Sequence, residues 1–155
     1  MRKLVVVFLI FKIHFILPSE SSCVNCSCQN DQIRCQPQQD IITTKLCLNT
    51  QTCENAIQME IINIKKIVLT NNLFENFTKI ESLQISHSGY LQIVPESFNH
   101  LRKLQKLNMN TNNLIQCHSS KSVKPKLNHD SLKGCLKNLH NLNELHLQNN
   151  KISEV

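Results

Sequence analysis

Apolar residues recur at a fixed spacing between Leu104 and Leu114, in the segment LQKLNMNTNNL. Leu107 and Met109 alternate with polar neighbours, which predicts a short strand with one face in a core and the other in solvent. Asn112 follows where that strand ends, and its carboxamide can satisfy backbone groups of the turn that would otherwise be buried unpaired. One unit of this kind cannot bury its own apolar face, so the pattern predicts neighbouring units.

The same spacing, L-x-x-L-x-L-x-x-N-x-L, recurs along the chain. Its first position falls at Ile64, Ile80, Leu104 and Leu142. Its polar position is filled by Asn72, Ser88, Asn112 and Asn150. The spacing resembles the leucine-rich repeat. That resemblance implies an α/β-type solenoid, here a horseshoe fragment with a short parallel sheet on its concave side and a mostly irregular convex side.

The intervals between successive first positions are 16, 24 and 38 residues. The shortest interval predicts an abbreviated first unit that begins at Ile64. The longest predicts a full repeat with an insertion at residues 118–131, whose polar, Lys-rich and Pro-containing sequence is typical of a loop. Cys117 and Cys135 flank this insertion, and we expect them to form a disulfide that closes the loop at its base.

The N-terminus carries a basic start, Met1-Arg2-Lys3, and then an apolar run over residues 4–11. With the polar stretch of small residues that follows, this layout is typical of a secretory signal peptide, which we expect over residues 1–21. A transmembrane helix or signal anchor is the alternative, but Lys12 and His14 interrupt the apolar run before the ~20 residues that a span needs. The eight Cys of the chain also favour an oxidising compartment. We therefore expect a protein that is secreted or lies on the extracellular face of the plasma membrane.

Four cysteines follow the leader in the spacing C-x2-C-x-C-x6-C, at Cys23, Cys26, Cys28 and Cys35. The spacing alone allows three pairings, or a zinc site, which a secretory leader disfavours. It resembles the N-terminal cap of extracellular leucine-rich-repeat proteins such as Slit, the small proteoglycans, Toll-type receptors and neurotrophin-receptor ectodomains. This resemblance implies a disulfide-bonded β-hairpin cap with the bonds Cys23–Cys28 and Cys26–Cys35. Cys47 and Cys53 lie close together in sequence and predict a further small loop.

These patterns divide the chain into three parts. They are a signal peptide over residues 1–21, a cysteine-rich cap and linker over residues 22–57, and about four repeats over residues 58–155. The last repeat lacks its outer arc, so we expect it to be incomplete at its C-terminal end and to leave an apolar edge open. Contact with a membrane is expected only through a C-terminal part that this chain lacks.

Outward positions of the predicted strands form a polar ladder on the concave face, which is the usual docking surface of curved repeat proteins. The residues that we expect to bind a partner are Gln84, Ser86, Lys106, Asn108, Asn110, Glu144, His146 and Gln148. Lys66, Val68 and Thr70 would extend the ladder in the abbreviated unit. The ladder has almost no aromatic anchors, and an ordinary solvated face is an equally good interpretation.

A second candidate surface is a basic patch that comprises Arg102, Lys103, Lys121, Lys124 and Lys126. Such clusters can bind sulfated glycans or anionic lipid heads by charge, although most charge runs simply face water. The net charge of +6 is partly due to the leader, and the chain has no nucleic-acid-binding motif, so we expect no nucleic acid as a partner.

Two N-glycosylation sequons occur, Asn25-Cys26-Ser27 and Asn76-Phe77-Thr78. Because Asn25 lies between cap cysteines, Asn76 is the better acceptor. The sequence contains no G-x-S-x-G, glycine-rich phosphate loop or H-E-x-x-H, and no His at metal-ligand spacing with a carboxylate, so we expect no enzyme, no cofactor and no metal.

The sequence therefore favours an extracellular protein–protein recognition module, either a receptor ectodomain or a secreted ligand-binding protein, whose partner is a protein ligand or receptor. A matrix or adhesion component that binds sulfated glycans is the alternative. The stretch Leu83 to Phe98, LQISHSGYLQIVPESF, is also similar to neurotrophin-receptor tyrosine kinases, which makes a fragment of such a receptor a further alternative. The immunoglobulin domains, membrane helix and kinase of those receptors are not in this chain.

Overall fold

The computed structural model describes residues 24–36, 42–43, 46–48, 53, 55–117 and 129–152. The predicted signal peptide therefore lies outside the described residues, as does most of the predicted insertion. Over the described ranges the protein is small and mostly β-sheet, with strands β1 (Val24–Gln29), β2 (Gln32–Cys35), β3 (Ile42–Thr43), β4 (Leu46–Leu48), β5 (Gln58–Ile62), β6 (Lys66–Leu69), β7 (Ser82–Ser86), β8 (Leu91–Ile93), β9 (Lys106–Asn108), β10 (Leu114–Cys117) and β11 (Glu144–His146), and helix α1 (His129–Leu136) between the last two.

Strands β1 and β2 form an antiparallel hairpin. Its two turn residues, Asn30 and Asp31, have φ angles of 50° and 61°. Positive φ at both positions is what a two-residue type I′ hairpin requires, and Asn and Asp tolerate that conformation better than other side chains. Cys26 faces Cys35 across the hairpin and forms a disulfide with it, with a Cα–Cα distance of 4.1 Å. The expected hairpin and one of its expected disulfides are thus confirmed.

The larger of two sheets has seven strands in the order β11-β9-β7-β5-β2-β1-β4. It is mixed, because β1 and β2 pair antiparallel while its other pairs are parallel. Ile33, Met59, Leu83, Leu107 and Leu145 lie in one register row across five of its strands. The first four are at most 1 % exposed, whereas Leu145, on the end strand, is 41 % exposed. The predicted alternation of apolar and polar positions is therefore confirmed in β7 and β9.

The smaller sheet has four parallel strands in the order β10-β8-β6-β3. Ile67 and Leu69 of β6 lie beside Leu91 and Ile93 of β8, and all four side chains are fully buried. Both sheets contribute to one apolar cluster. The part of each unit that we expected to be irregular thus contains regular strands.

The predicted first unit, beginning at Ile64, is placed wrongly. Ile67 and Leu69 belong to the smaller sheet, and the strand that lies beside β7 in the larger sheet is β5, with Met59 opposite Leu83. Residues that face each other across β5 and β7 are 24 residues apart, not 16. The strand that precedes β7 in the larger sheet is therefore β5, and it lies earlier in the chain than predicted.

Two further expectations fail for the same reason. Lys66 and Val68 lie in β6 and Thr70 follows it, so these residues do not extend the ladder on the larger sheet. Asn72, predicted to fill the polar position of the first unit, is exposed. Ile64 occupies the place that Asn112 holds in the regular unit, and it is fully buried.

Equivalent turns carry the chain back from the smaller sheet to the larger one. The backbone N–H groups of Phe77, Leu101 and Leu139 donate to the carbonyls three residues earlier, at 3.0, 2.9 and 3.0 Å. In two of these turns the accepting residues are Phe74 and Phe98, whose rings stack with centroids 6.0 Å apart. The same tight turn therefore recurs along the chain with an aromatic or aliphatic side chain packed beneath it.

The described disulfides differ in part from the expected set. Cys28 bonds to Cys53, with a Cα–Cα distance of 5.9 Å, so the expected bonds Cys23–Cys28 and Cys47–Cys53 are not formed in the structure. The reason lies in the topology: β5 pairs with β2, which brings the segment before β5 against the hairpin. Proximity in the sequence favoured Cys47 as the partner of Cys53, but the order of the strands places Cys53 beside Cys28.

The expected bond between Cys117 and Cys135 is confirmed, with a Cα–Cα distance of 6.2 Å. Helix α1 begins at His129, inside the predicted insertion, so residues 129–131 are helical rather than part of a loop. The described disulfides suggest an oxidising, extracellular compartment. Among the described residues, none of the helical segments has the length and apolar character of a membrane span.

Candidate binding face of the larger sheet

Polar side chains on the solvent side of the larger sheet form two rows across its strands. One row contains Arg34, Glu60, Gln84, Asn108 and His146. The row beside it contains Gln32, Gln58, Ser82, Lys106 and Glu144. We call these two rows the sheet face. Because their strands pair parallel and in register, the rows hold different side chains roughly 4.8 Å apart on a rigid support.

Glu60 is held between its neighbours at one end of the sheet face. Its Oε2 lies 3.2 Å from Nε of Arg34, and its Oε1 accepts a hydrogen bond of 3.3 Å from Nε2 of Gln84. The same Gln84 nitrogen lies 3.4 Å from Oγ of Ser86, which is buried. These contacts join three adjacent strands through side chains and orient the Gln84 carboxamide. The role of Ser86 in binding a partner stays a prediction, and its buried hydroxyl lies against the Gln84 carboxamide.

A second charged group lies at the other end of the sheet face. Nζ of Lys106 is 2.7 Å from Oε2 of Glu144, and Nε2 of His146 is 3.7 Å from the same oxygen. The hydrogen bond from Lys106 is the main cause that lowers the pKa of Glu144; desolvation opposes it, and the charges of Lys106 and His146 add to the lowering. All three side chains are well exposed, so this group sets the local charge pattern more than the stability of the fold.

The predicted residues at the carboxyl end of the strands support turns. Oδ1 of Asn108 accepts a hydrogen bond of 3.0 Å from the Asn110 backbone N–H. Oδ1 of Asn110 in turn accepts a hydrogen bond of 2.7 Å from the Gln148 backbone N–H. The carboxamide of Asn108 is thus oriented by the Asn110 N–H, while Asn110 links the turns after β9 and β11. The structure brings the eight residues that we expected to bind a partner to this sheet or to the turns at its edge, whereas Lys66, Val68 and Thr70 lie elsewhere.

A shallow groove of about 320 Å³ borders the sheet face at the amino-terminal ends of β5, β7, β9 and β11. Its lining comprises Ile57, Gln58, Glu81, Ser82, Gln105, Lys106, Asn143 and Glu144. Three carbonyl groups in this lining, those of Ile57, Glu81 and Gln105, each accept two N–H groups from the next strand. Since these three carbonyls are already paired, the groove offers a bound molecule mainly side chains at these positions.

Two asparagines, Asn112, which is buried, and Asn150, which is partly buried, hold the turns at the ends of the strands. Nδ2 of Asn112 donates to the carbonyls of Ile85 and Met109 at 2.7 and 2.8 Å. Nδ2 of Asn150 donates to the carbonyls of Met109 and Leu147 at 2.7 and 2.8 Å. The prediction that the carboxamide of Asn112 satisfies turn groups is thereby confirmed. These bonds hold successive strands in register and so keep the rows of the sheet face aligned.

The basic patch is only partly within the described residues. Arg102 and Lys103 are adjacent and exposed in the turn before β9. The backbone carbonyl of Arg102 accepts a hydrogen bond of 2.7 Å from Nδ2 of Asn141, which ties this turn to the next unit. Lys121, Lys124 and Lys126 lie outside the described residues. Of the two candidate surfaces, the sheet face is therefore the one with a defined geometry.

Comparison of the chain with protein-family models, curated proteins and solved structures found no match. The functional assignment accordingly depends on the residues and their geometry. Over the described ranges no group of three or more His, Cys, Asp or Glu is placed to hold a metal ion.

The sequence did not identify the residues that β2 and β5 contribute to the sheet face, which are Gln32, Arg34, Gln58 and Glu60. Glu60 lies 24 residues before Gln84, which is the spacing of the regular units, so a search at that spacing would have found it. Arg34 belongs to the cap hairpin, and only the pairing of β2 with β5 places it beside Glu60. The sheet face therefore begins on the β1–β2 hairpin.

Proposed function

We propose that this protein is an extracellular recognition module, built as a leucine-rich-repeat solenoid, and that its sheet face binds a protein ligand or receptor. The observation that carries the proposal is the row from Arg34 to His146. The five strands of this row pair parallel and in register, and each presents a different polar side chain to solvent. In repeat proteins the concave side of such a sheet is the usual extended docking surface. The described disulfides support an extracellular setting.

The solenoid itself is proposed from recurrence. Strands β5, β7 and β9 follow at 24-residue spacing, and each is followed by a strand of the smaller sheet. The turns at Phe74, Phe98 and Leu136 repeat with the same hydrogen bond. Stacked units that bury a continuous core and contact chiefly their neighbours are what define a solenoid. The likeness to neurotrophin-receptor ectodomains stays a prediction.

The chemistry of the sheet face favours recognition through directed hydrogen bonds. Its ionic groups are paired with one another at both ends, Arg34 with Glu60 and Lys106 with Glu144. Between them, Gln84 and Asn108 offer carboxamides oriented by their neighbours. A face with internally paired charges selects a partner by shape and hydrogen-bond pattern more than by net charge. We propose binding without catalysis, in keeping with the absence of catalytic motifs from the sequence.

A binding screen followed by a matched pair of variants tests this proposal. The secreted chain is presented to a panel of extracellular protein domains, and each binder is measured again with the double variant Gln84→Ala/Asn108→Ala. The control is Asn72→Ala/Glu75→Ala, which alters exposed residues of the connection before β7. Loss of at least about tenfold in affinity is expected for the first variant, since central contact residues carry most of the binding energy. A ligand whose affinity falls only in the control variant contradicts the assignment of the sheet face.

A second function, binding of sulfated glycans, is favoured by one observation, the exposure of the adjacent Arg102 and Lys103. Charge-driven binding of this kind weakens as salt rises, because counterions screen the cationic groups. Elution from a heparin column should shift to lower salt in Arg102→Ala/Lys103→Ala, and further when Lys121, Lys124 and Lys126 are also replaced. An unchanged elution position in both variants argues against this function.

A further inference from the structure

The sequon Asn76-Phe77-Thr78 lies in the connection between β6 and β7. Asn76 and Thr78 are exposed, while Phe77 between them is only 7 % exposed. The backbone N–H of Phe77 donates to the Phe74 carbonyl at 3.0 Å, and that of Ile80 donates to the Phe77 carbonyl at 3.3 Å. Burial of Phe77 thus anchors a turn that holds both polar residues of the sequon at the surface.

We propose that Asn76 is a site of N-linked glycosylation. The donor is an oligosaccharide joined to a lipid through pyrophosphate, supplied with its transferase by the secretory pathway. A bond forms between Nδ2 of Asn76 and C1 of the first sugar, the C1–O bond to the pyrophosphate breaks, and the lipid pyrophosphate leaves with its electron pair. One proton of the Asn76 amide is lost to a base. The hydroxyl of Thr78 completes the acceptor signal.

The other sequon is placed very differently. Asn25 lies within β1, which is hydrogen-bonded to β2 on one side and to β4 on the other. The next residue, Cys26, is buried and forms the disulfide with Cys35. The backbone of the Asn25 sequon is therefore engaged in a sheet and a disulfide, whereas Asn76 lies in an exposed turn. This contrast predicts higher occupancy at Asn76.

The position of Asn76 also determines which surface a glycan would cover. The connection from β6 to β7 lies outside the rows of the sheet face, and beyond Thr78 it is tied to Asn55, whose Oδ1 accepts a hydrogen bond of 2.6 Å from Nζ of Lys79. A glycan on Asn76 therefore covers this connection and leaves Gln84 and Asn108 open. This inference does not depend on the identity of any ligand of the sheet face.

Mass spectrometry of the full chain, made with its own leader in mammalian secretory cells, tests the site. Peptide N-glycosidase F in heavy-oxygen water converts a glycosylated Asn into labelled Asp, and the label at Asn76 is measured in the medium and in the microsomal fraction. We expect high labelling at Asn76, loss of the glycan in Asn76→Gln and Thr78→Ala, and its retention in Thr78→Ser. The control Asn72→Gln, four residues away, should keep the glycan.

Retention in Thr78→Ser separates the acceptor chemistry from a folding defect, because Ser keeps the hydroxyl that Ala lacks and loses only the methyl group of Thr. For protein that is retained inside the cell, the label at Asn76 is measured in the microsomal fraction. A failure of export therefore does not prevent the measurement. Unlabelled Asn76 in both fractions, or a glycan removed only by Asn25→Gln, overturns the proposal.

Carbodiimide labelling tests which surface the glycan covers. Glu75 adjoins Asn76 and is exposed, and Glu144 lies on the sheet face. Enzymatic removal of the glycan should raise labelling of Glu75 and leave Glu144 unchanged. Equal labelling of Glu75 before and after removal, or a rise confined to Glu144, contradicts the assigned location.

Discussion

The Ser88 backbone N–H donates a hydrogen bond of 2.9 Å to Oδ1 of Asn112, which occupies the equivalent position one unit later. The carboxamide oxygen of Asn112 therefore accepts from Ser88, and its nitrogen donates to the carbonyls of Ile85 and Met109. Asn112 is only 5 % exposed, so water does not readily replace these bonds. One buried side chain thus fixes the spacing of two neighbouring units.

Replacement of Asn112 by Ala should therefore be costly. Three buried hydrogen bonds are lost and two carbonyls and one N–H are left without that partner, so we expect the free energy of unfolding to fall by about 2–4 kcal/mol. Asn72→Ala is the matched control, because Asn72 is exposed, and should change it by less than about 0.5 kcal/mol. Denaturant unfolding under non-reducing conditions measures both. Similar losses of stability in the two variants would support the prediction that Asn72 fills the polar position of the first unit.

A second prediction concerns the close approach of Gly89 to the preceding unit. A Cβ built on Gly89 would lie 2.8 Å from the backbone carbonyl oxygen of Lys65, which cannot move aside as a flexible side chain would. Gly89→Ala should lower the free energy of unfolding by about 1–3 kcal/mol through overpacking.

The control is Gly134→Ala in helix α1, where an added Cβ meets nothing within 4 Å. Because Ala is the better helix former, this variant should be about 0.5–1 kcal/mol more stable than the wild type. Thermal unfolding compares the two variants. Opposite changes are expected, and a neutral Gly89→Ala would show that the two units are not held at this distance.

The misplaced first unit shows why the repeat pattern alone could not locate every strand. In the regular unit, Asn112 marks the end of the strand, and the framework from Leu104 to Leu114 was correctly placed. In the first unit the equivalent place is taken by Ile64, which is buried among apolar residues and satisfies no turn groups with its side chain. Asn72, eight residues after Ile64, completed a different match to the repeat pattern. The predicted framework was aligned on this asparagine, whereas the core accepts either Asn or Ile at the place of Asn112.

The disulfides and the sheet face show a different limit. Cys117 and Cys135 bound an insertion and could be paired from the sequence, but the partner of Cys28 depends on β5 pairing with β2. The same pairing adds Arg34 and Glu60 to the sheet face. Local alternation predicts which side chains point outward, while the order of strands decides which of them become neighbours.

A third prediction concerns pH and Glu144. Its pKa is lowered from the usual 4.5, chiefly by the hydrogen bond from Lys106, so the folded state favours the carboxylate. The stabilisation is present above the unfolded pKa and is lost as pH falls through the lower folded value. Replacing Lys106 by Met should raise the pKa of Glu144 towards 4.5, as measured by carboxyl carbon NMR between acid and neutral pH. Gln105→Met, at the adjacent exposed residue, is the control and should leave that pKa lowered.

The fourth prediction concerns the covalent pairing of the cap. Peptide mapping of the unreduced protein should give a peptide that links Cys28 to Cys53, separate from the one that links Cys26 to Cys35. A link between Cys23 and Cys28 would contradict the structure and restore the pairing implied by the cap resemblance.

The stabilising effect of the pairing can be measured with two double variants. Cys28→Ala/Cys53→Ala opens a loop of 25 residues, and Cys117→Ala/Cys135→Ala opens one of 18. In the chain-entropy model each bond stabilises by roughly 3–4 kcal/mol, with the longer loop contributing slightly more. The first variant should also loosen β2 against β5 and so move Arg34 away from Glu60, whereas the second should leave that ion pair intact. Hydrogen exchange at the amides of β5 distinguishes the two variants, because only Cys28→Ala/Cys53→Ala should accelerate exchange there. Equal exchange in both variants would show that the cap disulfide does not hold the sheet face in register.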